Sequence, residues 1–231
     1  MEYQKQNIQT FDNMYKQGWG NEWPSELMIS YYHNIIKKNI EFSDRGGGGV
    51  KPKILEFACG TGANLRFFDS IGFEVYGIDS SESAIDRCLK RGYKQKNFSS
   101  VNILKDCEIT ELWPGTEFDL IICLSSLAYF NNDDIICLSK KFYDALRKGG
   151  VLYTNFYTTI REWPIRKAEN GLYAAESNGS VDTLTYLNLV ETKDDIRKYY
   201  KELYEEIAIK RTLIEGSLGD NETLHYFGYR K

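Results

Sequence analysis

Short apolar blocks and polar breaks follow one another along most of the chain. Residues 53–57 (KILEF) are an apolar run with one acid inside, long enough for a strand and too short for a buried helix. A loop of small residues follows. Leu65, Phe67 and Phe68 then recur at helical spacing over residues 63–71, and Gly72 stands where such a helix would stop. The alternation repeats. It predicts a strand over 74–78 with Asp79 at its end, a helix over 82–91 capped by Ser80 or Ser81 and closed by Gly92, and a strand near 101–104. The continuous apolar run 118–124 reads as a strand buried on both faces. A helix over 133–147, capped by Asn131 or Asn132 and stopped by Gly149-Gly150, leads into a fifth strand at 151–157. Strands alternating with helices predict an α/β fold, a parallel sheet with right-handed crossovers and helices on both faces. The rhythm changes at the end. A helix over 192–203 is followed by strands over 205–214 and 222–230, so a C-terminal antiparallel hairpin completes a mostly parallel seven-stranded sheet.

Two stretches lack this pattern. Residues 1–24 carry Phe11, Tyr15, Trp19 and Trp23 among polar residues, with no regular apolar face. A helix is predicted next, over residues 26–40 with Met28, Tyr32, Ile35 and Ile36 in register, and the run Gly46 to Gly49 reads as a flexible connector. Residues 1–52 are therefore expected to be an N-terminal helical cap or lid on a domain spanning 53–231. Residues 158–190, with Trp163, Tyr173 and Tyr186, read as an insertion carrying a small strand near 183–190. Both stretches are aromatic-rich and would reach the same end of the sheet.

At 231 residues the chain is long enough to bury a sizeable core, and its net charge of −4 argues against a nucleic-acid partner. The five cysteines form no C-x-x-C pair and there are two histidines, so no metal site and no disulfide framework is expected. No signal-like or membrane-spanning apolar run is present, which points to a cytoplasmic protein.

The chemistry concentrates in KILEFACGTGAN, residues 53–64. Gly60 and Gly62 let the backbone turn sharply and approach a ligand, and the first N–H groups of the following helix face that ligand. A third glycine, as in the dinucleotide fingerprint, is missing at Leu65, and an acid, Glu56, lies inside the strand instead. The run ILEFACGTG resembles the E/D-x-G-x-G-x-G signature of the Rossmann-like S-adenosylmethionine (SAM) dependent methyltransferases, with Ala58 in place of the first glycine.

That resemblance covers about residues 53–157 and the terminal hairpin. It implies a SAM-dependent methyltransferase that releases S-adenosylhomocysteine. Ala58, Cys59, Gly60, Thr61 and Gly62 would bind the amino-acid part of SAM, and Glu56 would orient the loop or the SAM amino group. Asp79, with Ser80 beside it, would accept from the ribose hydroxyls. Asp106 and Cys107 would take the adenine, and Leu124 and Ser125 would lie under the methionine. Tyr15 and Trp19 are expected to close over the cofactor. His225, at the start of the last strand, and Tyr129, just after strand four, are the candidate catalytic residues. The expected acceptor is an O or N atom of a small molecule, and the expected assembly a monomer or homodimer. Alternatives are a protein or RNA acceptor, a SAM-binding subunit without chemistry, and a nicotinamide-dependent oxidoreductase; the missing third glycine and the hairpin weigh against the last.

Overall fold

A computed structural model describes residues 2–40, 51–160, 165–168, 172–176, 184–214 and 221–231. The expected connector at Gly46 to Gly49 and the insertion residues Trp163 and Pro164 lie outside the described residues. The elements are α1 (Glu2–Lys16), α2 (Glu26–Tyr31), α3 (Lys37–Asn39), β1 (Lys53–Phe57), α4 (Ala63–Ser70), β2 (Glu74–Asp79), α5 (Glu82–Lys90), β3 (Phe98–Ser100) and α6 (Ile109–Leu112). The chain continues with β4 (Phe118–Cys123), α7 (Asn132–Ala145), β5 (Leu146–Ile160), β6 (Ile165–Lys167), β7 (Tyr173–Glu176), β8 (Leu184–Leu187), α8 (Lys193–Tyr200), β9 (Tyr204–Ile214) and β10 (Asn221–Arg230).

Seven strands form one sheet in the order β3-β2-β1-β4-β5-β10-β9. All neighbours up to β5 pair in parallel, while β10 runs antiparallel to both β5 and β9. The central strands are largely apolar because both faces are covered. Side chains alternate across a strand. Leu55, Phe57, Ile121, Cys123 and Leu152 pack with Leu138 and Phe142 of α7 and with Ile196 and Tyr200 of α8. Ile54, Leu120, Ile122 and Val151 pack on the other face with Met28 of α2, Leu65 and Phe68 of α4 and Ile85 of α5. β6, β7 and β8 form a separate antiparallel sheet, which packs Ala175 and Leu187 against Ala128 between β4 and α7.

Four expectations shift. Residues 2–16 form a regular helix, although no apolar face marks it. Its inward face is Tyr3, Gln4, Asn7 and Thr10, mostly amides and hydroxyls that bury by hydrogen bonding. The helix after Ser25 is continuous through Asn39, but its middle, Tyr32–Ile36, is a π-turn. β3 lies at Phe98–Ser100, ahead of the expected 101–104. The Asn102 N–H donates to Asp106 (3.0 Å) and the Leu104 N–H to the Asn102 side chain (3.2 Å), so short polar side chains capture the backbone before it can pair. Gly149-Gly150 is no helix stop: α7 ends at Ala145, and the glycines sit inside β5 where its register against β4 shifts. A Cβ on Gly150 would come within 2.9 Å of the Arg147 carbonyl oxygen and 3.0 Å of that of Phe118, so only glycine lets the strands approach there.

Candidate active site

The carboxyl ends of β1, β2, β4 and β5 meet at one edge of the sheet. A cavity of about 620 Å³ opens there, roofed by α1 and the segment after it. Open α/β sheets bind ligands at this edge, where the strand order reverses between β1 and β4.

β1 delivers Glu56, 3% exposed, to the cavity wall. One of its carboxylate oxygens accepts from the Asn64 side-chain amide at 2.8 Å, and the other has no partner. Burial, above the opposing pull of Asn64, pushes this carboxyl up to about 8. The chain then turns through Ala58 (φ 55°), Gly60 (φ 52°) and Gly62 (φ 72°). Ala58 is the costly member, because a Cβ disfavours this left-handed backbone by about 1 kcal/mol. Ala58→Gly is therefore expected to raise stability by about 1 kcal/mol without changing the site, read from denaturant unfolding. No gain would mean that the alanine methyl contributes packing of equal size.

Asp79 ends β2 and ties the loop down. One oxygen accepts the Gly60 N–H at 2.8 Å and the other the Ser81 N–H at 2.9 Å. The Ser80 N–H supports the same carboxylate, which remains acceptor-only. Desolvation raises its carboxyl despite those bonds. Gly62 faces away from the cavity. Its carbonyl accepts from the Tyr93 hydroxyl at 2.9 Å, and a Cβ there would meet the Tyr93 ring at 2.8 Å and the Cys88 sulfur at 3.1 Å. Gly62 thus shapes the loop from behind, while Ala58, Cys59, Gly60 and Thr61 line the cavity.

On the β4 side, Leu124 and Ser125 line the cavity. Ser125 has φ 56° and is held by its N–H donating to the Asn155 side chain at 2.6 Å. Tyr129 lines the wall and packs edge-on against Phe11 of α1 at 4.8 Å. Burial drives its phenol far above the usual range, so the hydroxyl keeps its proton at neutral pH. His225 lies on β10, 3% exposed. Its Nδ1 pairs with the Tyr153 hydroxyl at 3.0 Å, its Nε2 has no partner, and the residue lines the cavity. Burial lowers its pKa to about 4, so the ring is neutral at pH 7.

Asp106 and Cys107 do not line the cavity. The Asp106 carboxylate closes its own turn onto the Asn102 N–H, and the Cys107 carbonyl accepts from Lys141 at 3.1 Å. Val101 to Leu104 line that end of the cavity instead.

The roof is sewn down by polar contacts. Asp134 of α7 accepts from the Tyr3 hydroxyl (2.6 Å) and the Gln4 amide (2.7 Å). Asn7 donates to the Tyr186 carbonyl (3.1 Å) and accepts its N–H (2.9 Å). The Ser81 hydroxyl donates to Asp12 at 2.6 Å, and Lys16 and Ser81 together hold the Asp12 carboxyl down at about 2. Beyond α1, the Thr61 hydroxyl donates to the Asn21 carbonyl (2.7 Å), Arg87 donates to the Trp19 carbonyl, and Glu22 pairs with Arg91 at 2.8 Å. Tyr15 sits directly over the loop: a Cβ on Gly60 would lie 2.7 Å from its hydroxyl. Trp19 packs tilted against Tyr15, ring centroids 5.5 Å apart, and is half exposed at the mouth.

This sheet order and this glycine loop define a class I, Rossmann-like methyltransferase domain of the SAM-dependent kind. Residues 54–150 match the methyltransferase-domain family. The chain is 31% identical over 185 residues to an mRNA cap guanine-N(7) methyltransferase of Caenorhabditis elegans, covering 74% of this chain and 46% of that protein. It is 29% identical over 131 residues to a ubiquinone biosynthesis O-methyltransferase of Rickettsia bellii, covering 55% of this chain and 52% of that protein. The chain thus spans about half the length of these curated relatives. Among solved structures it resembles a Burkholderia thailandensis 1,6-didemethyltoxoflavin-N1-methyltransferase, with TM-score 0.69, 16% identity, and coverage of 100% of this chain and 89% of that one. Among the described residues no group of three His, Cys, Asp or Glu side chains could hold a metal ion, and no helix is long and apolar enough to cross a membrane.

The site residues fit SAM. The unpartnered Glu56 oxygen asks for a cationic donor such as an α-ammonium group, and the Asp79 carboxylate in the same cavity suits hydroxyl donors. Short-chained Ala58 and Gly60 let the loop backbone reach such a ligand.

Proposed function

We propose that the chain transfers a methyl group from SAM to an oxygen or nitrogen atom of a small-molecule acceptor held in the cavity beneath α1. The unpartnered, buried Glu56 oxygen in the same cavity as Asp79 carries this reading, because no element of the fold uses it. SAM, when bound, supplies a methyl group already activated by its sulfonium. The protein's own task is then alignment and exclusion of water. Glu56, steadied by Asn64, holds the amino group. Asp79 holds the ribose while fixing Gly60. Leu124 and Ser125 form the floor, and Tyr15 and Trp19 cover the top. Tyr129 donates a hydrogen bond to the acceptor. His225 presents a neutral nitrogen that takes the acceptor's proton where the acceptor must lose one.

Calorimetric titration with S-adenosylhomocysteine tests the first half. Binding is expected well below millimolar, and Asp79→Ala should weaken it by roughly 1–3 kcal/mol, the scale of a charge-assisted hydrogen bond left unmade. Absence of binding at millimolar ligand would end the reading. An unchanged affinity in Asp79→Ala would remove that carboxylate from the cofactor site.

A further inference from the structure

Among the described residues six buried polar side-chain atoms lack a partner, and four of them belong to residues that line the cavity: Glu56 Oε2, Thr185 Oγ1, Asn221 Oδ1 and His225 Nε2. Leaving such an atom unsatisfied costs on the order of 1–3 kcal/mol, so their clustering marks a place where a ligand supplies the missing bonds. Glu56 belongs to the glycine loop. The other three belong to a different surface.

That surface is built by register. β5 and β10 pair antiparallel, with His225 opposite Asn155 and Thr223 opposite Tyr157. Because side chains alternate, Tyr153, Asn155 and Tyr157 present one face of β5 to the cavity. Asn221, Thr223 and His225 present the matching face of β10. Thr185, on β8, lines the same cavity. None of these seven residues carries a charge at neutral pH, since burial keeps the His225 ring neutral.

We infer that this β5–β10 wall, with Thr185, is the acceptor subsite, and that it takes an uncharged, phosphate-free molecule bound through hydrogen bonds to Thr185, Asn221 and His225. The inference rests on the methyltransferase reading above. Among the described residues no lysine or arginine lines the cavity, so no side-chain cation there would pair with an anion. A buried phosphate needs cationic or forked donors, and enclosing one here would leave its charge unpaired. Lys210 pairs with His225 across β9 but is exposed and does not line the cavity. The Tyr31 ring packs tilted against the His225 ring, 5.0 Å away. An uncharged acceptor with a hydroxyl or N–H group meets all three vacant partners. The Asn221 oxygen accepts, the Thr185 hydroxyl both donates and accepts, and the His225 Nε2 completes the set. A nucleotide or a capped RNA end does not match this wall.

The test uses the full chain with SAM and matched acceptor pairs: guanosine with guanosine 5′-triphosphate, and catechol and other uncharged phenols and N-heterocycles with their phosphorylated counterparts. Formation of S-adenosylhomocysteine is the readout. Turnover is expected only with uncharged members. In Asn221→Ala and Thr185→Val the KM for the best of them should rise by about tenfold or more, one lost hydrogen bond each. S-adenosylhomocysteine affinity should stay within about a factor of two in both variants, which also reports that they fold. Turnover of phosphorylated members alone, turnover of no member, or an unchanged KM in both variants overturns the assignment. Failure of wild-type protein to bind S-adenosylhomocysteine is seen before any acceptor is added, and it removes the underlying methyltransferase reading instead.

Discussion

Glu56→Gln is expected to flatten a loss of stability that the ligand-free protein suffers between about pH 4.5 and pH 8. The Glu56 carboxyl is fully buried and raised from 4.5 to about 8. In that interval the folded state keeps a proton that the unfolded chain has released. The native state then binds more protons than the unfolded one, so unfolding free energy falls as pH rises through the window. A rise from 4.5 to about 8, at about 1.36 kcal/mol per pH unit, puts the total on the order of 4–5 kcal/mol. Glutamine copies the protonated acid and can still accept from Asn64, so the variant should match wild type near pH 4.5 and exceed it at pH 8.5. Asp79 is raised as well, so a smaller slope should survive in the variant. Thermal melts across pH 4.5–8.5 decide the matter, and a wild-type profile as flat as that of Glu56→Gln would sink it. The same proton gives a binding signature. A cationic amino group beside Glu56 favours the ionised acid, so S-adenosylhomocysteine should release close to one proton at pH 7, measured by calorimetry in buffers of different ionisation enthalpy. Glu56→Gln should release none.

The sheet was legible because its signals are local. β1, β2 and β4 are buried on both faces and read as short, mainly apolar runs, and the glycine loop follows β1 directly while Asp79 ends β2. α1 escaped detection for a physical reason. Its buried positions Tyr3, Gln4, Asn7 and Thr10 do fall at helical spacing, but hydrophobic periodicity cannot register a face that buries by hydrogen bonding. β3 was misplaced because Val101 and Ile103 look like strand residues while Asn102 and Asp106 close a turn around them. The same turn carries Asp106 out of the cavity. On the acceptor side, His225 and Tyr129 were visible as lone chemical groups. Asn155, Tyr157, Asn221 and Thr185 were not, since only the antiparallel register of β5 with β10 and the approach of β8 bring them together. Long-range pairing leaves no trace in a window of ten or fifteen residues. A histidine next to a tyrosine, separated by 72 positions, becomes a pair only in the fold.

Deleting residues 1–23 should leave a folded domain that has lost most of its turnover, by about 100-fold or more, because α1 closes the cavity without holding up the core. None of the buried hydrophobic clusters draws a residue from α1. The helix that does contribute, through Met28, Tyr32, Ile35 and Ile36, begins after Ser25 and is kept. What ties α1 down is a set of individual polar contacts, Tyr3 and Gln4 to Asp134, Asn7 to Tyr186 and Asp12 to Ser81, with the ring contacts of Phe11 to Tyr129 and Tyr3 to Tyr186. Each contributes on the order of 1 kcal/mol, so together they hold the roof but leave opening within thermal reach. Removing them takes away Tyr15 from above Gly60 and Phe11 from beside Tyr129, and admits water to both halves of the site. S-adenosylhomocysteine affinity should fall too, by less than turnover, since Glu56, Asp79 and the loop remain. Asn7→Ala and Asp12→Ala supply graded versions in a full-length chain, each expected to weaken the closed state with little change in the denaturant midpoint of the sheet. Circular dichroism would report the fold of the truncated chain, and initial rates its activity. A truncated protein that turns over at the full rate would show that α1 is no roof for the reaction, and the shielding of the site would then fall to the β6–β8 sheet alone.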